Sequence, residues 1–224
     1  MRGPGEIIGR GTGNSTIDGW FAAWEEDMEV AEALATAWAV NQDSAYAKKV
    51  AEIIDAWAWT LTEIANKDNI AVGWRGRQLV NAAELIFYES GSWPTGEENF
   101  RQAQTMVKEV LQPAVYAEAR PDADQPAAGG NQGILGHLAA LEFSIFSHNL
   151  TGVNDELEIL NLPHKCENFG GSGIRAMIHA ETGQIAETGR DQAHSAMEVG
   201  FAEQAAWVAA NQGTYFDLTQ QIVI

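Results

Sequence analysis

Apolar residues return every three or four positions through most of this chain, and that spacing constrains its fold more than any other feature. Trp24, Met28, Ala31, Leu34, Ala35 and Trp38 follow it, so one face of a helix over residues 18–40 is apolar. Asn41, Gln42 and Asp43 then interrupt. Ser44 is an N-cap for a second helix, in which Ala47, Val50, Ile53, Ile54, Trp57, Leu61 and Ile64 keep the period through to Ala65. So short a connection predicts an antiparallel hairpin.

Further helices are predicted over 78–88, from a Thr95 cap to about Leu111, from Ile134 to near Ser147, over 156–162 where Pro163 closes it, and over 190–211 where Gly213 ends it. Between them lie a loop at 66–76 carrying Trp74 and Arg75, a long loop at 120–130, and a glycine-broken stretch at 168–189 with a short extended piece at 174–179. The glycine-rich opening, 1–19, reads as an arm, 20–213 as the helical domain and 214–224 as a short tail. The fold class is therefore all-α, built from stacked helical hairpins.

Composition narrows the function. With 224 residues and 46% apolar positions, the chain can bury a sizeable core. Thirteen Lys and Arg against thirty-one Asp and Glu leave a net charge of −18, which argues against nucleic acid or an anionic membrane as partner. A polyanionic ligand would need a local positive pocket. The lone Cys166 makes no internal disulfide, and no stretch approaches the roughly 18 apolar residues of a membrane span. His137, His148, His164 and His179 show no zinc-like spacing, so no metal or other cofactor is expected. Walker A, dinucleotide-binding and G-x-S-x-G patterns are missing from the sequence.

Three segments hold polar residues that packing does not explain. Gly129-Gly130-Asn131-Gln132-Gly133 opens a helix, where glycines admit a ligand to the backbone and two carboxamides join free N–H groups to hold a carboxylate; an ordinary N-cap by Asn131 is the alternative. Glu187-Thr188-Gly189-Arg190-Asp191-Gln192-Ala193-His194 places Arg190 and His194 four apart, on one helical face. Either they meet an anionic ligand, or Asp191 or Glu187 satisfies Arg190 and His194 is a hydrogen-bonded core residue. Gly73-Trp74-Arg75-Gly76-Arg77 offers an aromatic face and two cations of the kind that sugar clefts use, unless Trp74 simply packs on the core.

The order of several motifs resembles the alginate lyase domain family of polysaccharide lyases. They are Arg10-Gly11-Thr12-Gly13, the run from Ala45 to Trp57, Val80-Asn81-Ala82-Ala83-Glu84-Leu85, Gly130-Asn131-Gln132-Gly133, and Thr182-Gly183-Gln184 through to His194. The likeness extends from about Gly9 to Gly213. It implies an incomplete (α/α) toroid of antiparallel helical hairpins, and cleavage of an acidic polysaccharide such as alginate or glucuronan by β-elimination without a cofactor. It also implies export from the cell. By the same resemblance Asn131 neutralises the uronate carboxylate, Arg190 holds a substrate carboxylate and His194 is the base or its partner. Trp74, Arg75, Arg77, Gln132 and Gln192 would bind substrate. Members often use a tyrosine in this chemistry, whereas none follows Arg190 here until Tyr215, and members continue further, so the chain reads as a truncated relative. A catalytically silent carbohydrate-binding or scaffold protein is the alternative. The first reading requires Asn131, Arg190 and His194 to converge on one groove.

Overall fold

The computed structural model describes residues 4–66, 68–120, 128–161, 173–179 and 181–213. They are mostly helical, as the apolar spacing predicts, and divide into two compact units, Met1–Ala114 and Val115–Ile224.

In the first unit, α1 (Ser15–Asn41) begins inside the expected arm, because the Asn14 side chain accepts from the N–H groups of Thr16 and Ile17 at 3.0 and 3.4 Å. Gln42 ends it in a left-handed conformation, φ 59°. Asp43, not Ser44, caps α2 (Ser44–Ala58), accepting from Ala45 N–H at 2.9 Å. The helix stops at Ala58, well short of Ala65. Leu61 and Ile64 are both buried, Leu61 in the turn after the helix, its N–H donating to the Trp57 carbonyl at 2.8 Å, and Ile64 on β2 (Glu63–Ile64), which pairs in parallel with β1 (Ile7–Ile8).

The expected loop at 66–76 is helical from Asn69 onward. Asp68 caps α3 (Asn69–Ser90) by accepting from Ala71 N–H at 3.0 Å, and Ala71 and Val72 are buried. Trp74, Arg75 and Arg77 therefore stand on a helix. α1 packs against both α2 and α3, and the core between them holds Trp24, Met28, Ile54, Trp57, Leu79 and Ile86.

Gly96, not Thr95, occupies the cap position of α4 (Glu97–Met106), while the Thr95 hydroxyl donates to Asp55. Nor does this helix end at Leu111. It continues through a π-helical turn (Val107–Leu111) into α5 (Gln112–Ala119). Pro113 explains the turn: it lacks an N–H and its ring crowds the carbonyl four residues back, and the wider turn relieves both.

In the second unit, α6 (Gly130–Phe146) packs against α7 (Leu150–Leu160) and α8 (Gln192–Asn211), and nearly every residue of α6 is buried. Asn149 accepts from Gly152 N–H at 3.1 Å and starts α7 earlier than the expected 156. A Cβ on Gly152 would stand 2.5 Å from the Ser144 hydroxyl, so only glycine allows this approach of α7 to α6. Pro163 lies outside the described residues. Of the extended piece at 174–179, Ile178 bridges to Ile185 and the preceding residues form a turn. Among the described residues no helix is long and apolar enough to cross a membrane.

Candidate active site

The start of α6 is built around a carboxylate. Gly130 opens the helix at φ 59°, Asn131 lies within its first turn, and Gly129 at the cap position supplies no side chain. The N-cap reading of Asn131 is thus corrected. What faces these N–H groups is Glu187, whose Oε1 accepts from Asn131 N–H at 3.5 Å. A Cβ on Gly130 would fall 2.6 Å from that oxygen, so the glycine makes room for the chain's own carboxylate. Negative charge is favoured there by the unpaired N–H groups and the helix dipole. Asn131 is only 6% exposed, and its Oδ1 is buried with no hydrogen-bond partner among the described residues. Leaving such an acceptor unsatisfied costs on the order of 1–3 kcal/mol. Gln132, next along, is half-buried.

Arg190 reaches the same carboxylate, its Nη1 donating to Glu187 Oε1 and Oε2 at 3.4 and 3.3 Å. The guanidinium is half-exposed, and its Nε and Nη2 have no partner among the described residues. Arg190 precedes the helix rather than sharing a face of it with His194, because the extended Asp191 is the cap of α8. Asp191 accepts from His194 N–H at 2.9 Å and pairs with the imidazole Nδ1 at 2.5 Å. The His194 backbone donor, first among several, holds the Asp191 carboxyl below its ordinary value. Gln192 is exposed on the first turn of α8.

Asn131 and Arg190, far apart in sequence, are therefore brought together on Glu187. His194 hydrogen-bonds neither of them and has Asp191 instead. Trp74, Arg75 and Arg77 belong to the first unit. Trp74 is 43% exposed on α3, Arg77 is half-buried, and Arg75 is engaged by Glu25 and Glu29 of α1 at 3.5 and 2.5 Å and by Gln78 at 3.0 Å.

Two groups escaped the sequence reading. Glu198 on α8, 1% exposed, accepts from the N–H groups of Ala186 and Glu187 at 3.2 and 2.8 Å, and burial pushes its carboxyl above the ordinary value. His137, Glu156 and Arg120 form a buried cluster: Glu156 pairs with His137 Nδ1 at 2.7 Å and with Arg120, whose guanidinium lies 3.9 Å over the Tyr116 ring. A histidine and a glutamate on otherwise apolar faces were the only signal for the second. Among the described residues no group of three or more His, Cys, Asp or Glu is placed to hold a metal ion.

The described residues are mostly helical, and the fold class is all-α. The alginate lyase family model matches residues 13–148, well over half the sequence, and the chain belongs to that family. The match covers Asn131, Gln132 and the Trp74 segment, and it ends before the stretch from Glu187 to His194. No curated protein and no solved structure matches the chain.

Proposed function

We propose that this protein is a lyase that cleaves an acidic, uronate-containing polysaccharide such as alginate or glucuronan by β-elimination. The observation that carries the reading is that the Asn131 backbone N–H, within the family match, and the Arg190 guanidinium, outside it, meet on one carboxylate. The Nε/Nη2 edge of Arg190, without a partner among the described residues, is a fork suited to a second carboxylate, that of the uronate. Neutralising that group, with the Asn131 amide assisting, acidifies the proton on C5.

His194 is the base. Asp191 accepts from Nδ1–H and leaves the Nε2 lone pair open, the tautomer that proton abstraction needs. Nε2 takes the C5 proton, the electron pair forms the C4=C5 double bond, and the C4–O bond breaks. The departing oxygen takes up a proton, giving a new chain end and an unsaturated uronate. Gln132 and Gln192, both of the second unit, offer amides to neighbouring sugars. By resemblance to its family the protein is exported.

The test is near-ultraviolet absorbance of the unsaturated product during incubation with alginate, glucuronan and other acidic glycans. The wild type is expected to produce it on one of them. His194→Ala should lose on the order of 10²–10⁴-fold in kcat. Asn131→Ala should lose about 10²–10³-fold, mainly in kcat. Absence of product from wild type on all of them would reject the activity, and oligouronate binding without product would then identify a carbohydrate-binding relative.

A further inference from the structure

We propose that Glu187 is a positioning residue, whose carboxylate seats the first turn of α6 and aims the Arg190 guanidinium so that one edge remains for substrate. The inference rests on the lyase reading for its consequence in turnover, and on geometry for the rest.

Glu187 is held from both sides. Its own N–H and that of Ala186 donate to Glu198, while its carbonyl accepts from the Ser195 hydroxyl at 3.0 Å and from Arg190 N–H at 3.1 Å. The first turns of α8 thus fix the backbone, and the side chain, 10% exposed, extends to Gly130 and Asn131. A carboxylate is the one side-chain group that can accept from the α6 N–H and from a guanidinium at once while countering both the dipole and the cation. Among the described residues it engages Nη1 alone and leaves the Nε/Nη2 edge without another partner.

There is a cost in affinity. Glu187 cancels the charge of Arg190, and a uronate on the open edge approaches a second carboxylate, so ground-state binding is weakened while the donors are kept in place. Removing the charge without changing the shape should therefore split the kinetic constants. In Glu187→Gln, KM for the cleaved polyuronate is expected to fall by about threefold and kcat by about tenfold. Glu187→Asp, which keeps the charge but lacks the reach, should lose kcat without the gain in KM. A fall in melting temperature with KM unchanged or raised in Glu187→Gln would mark a merely structural residue and overturn the proposal.

A second measurement is independent of turnover. In nitrogen-15-labelled protein the Arg190 Nε–Hε resonance should shift and exchange faster with water in Glu187→Gln and Glu187→Ala, under conditions where both variants remain folded by far-ultraviolet circular dichroism. An unchanged resonance would overturn the proposal. If wild type yields no product from any acidic glycan, the lyase reading fails separately, and this resonance still decides whether Glu187 orients Arg190.

Discussion

Asp55 is 8% exposed, with the Trp93 indole donating to one oxygen at 2.9 Å and the Thr95 hydroxyl to the other. Burial raises its carboxyl above the ordinary 3.8, and the two donors only partly offset this. With the folded value above the unfolded one, the folded protein holds the proton more tightly. That contribution to stability is full below 3.8 and disappears as pH rises through the raised value. Wild type should therefore lose more stability than Asp55→Asn between about pH 4 and about pH 7, as read by urea unfolding at each pH. Parallel curves would refute the assignment. None of this was legible in the sequence: Asp55 occupies an ordinary helical position, and its partners lie about 40 residues further on.

At the scale of elements, the buried cluster of Glu156 with His137 and Arg120 joins α6, α7 and the residue just past α5. Removing one member leaves uncompensated charge in an apolar setting, so Glu156→Ala should cost about 3–5 kcal/mol in chemical denaturation. Replacing all three by apolar residues of similar size should recover most of that loss, and failure to recover would show that the cluster does more than satisfy itself. The spacing of apolar residues located α1, α2 and α8 because each buries a face of regular period, and α6 because its largest apolar residues keep that period although nearly the whole helix is buried. It missed the first half of α3, where Gly73, Trp74, Arg75, Gly76 and Arg77 have the composition of a loop but are held by the Asp68 cap and by the pairing of Arg75 with α1. It also extended α2 over residues that are buried as a strand. Gly130 drew attention for the right reason, a close approach to the backbone, but the approaching group is a glutamate 57 positions later. A contact at that separation leaves no local pattern to read.

For the whole molecule, the charge of −18 sets the response to salt. The Arg190–Glu187 pair is neutral and offers a polyuronate little attraction at long range, whereas the remaining surface repels it. Raising ionic strength from about 0.01 to about 0.15 M shortens the screening length from roughly 30 to 8 Å and removes most of that repulsion. KM for the polyuronate should accordingly fall over this range, measured by initial rates at fixed pH. A steady rise instead would mean that local cations govern encounter.

The Glu187 carboxylate against the start of α6 also bears on how the protein is made. At about 5–20 residues per second, a ribosome that has just added Gly130 needs roughly 3–11 s more to reach residue 187. Until then the start of the nascent α6 is without its counter-ion, and the helix, as it emerges, is without α8 to cover it. Birth order thus leaves this helix as a stretch for a chaperone to shield.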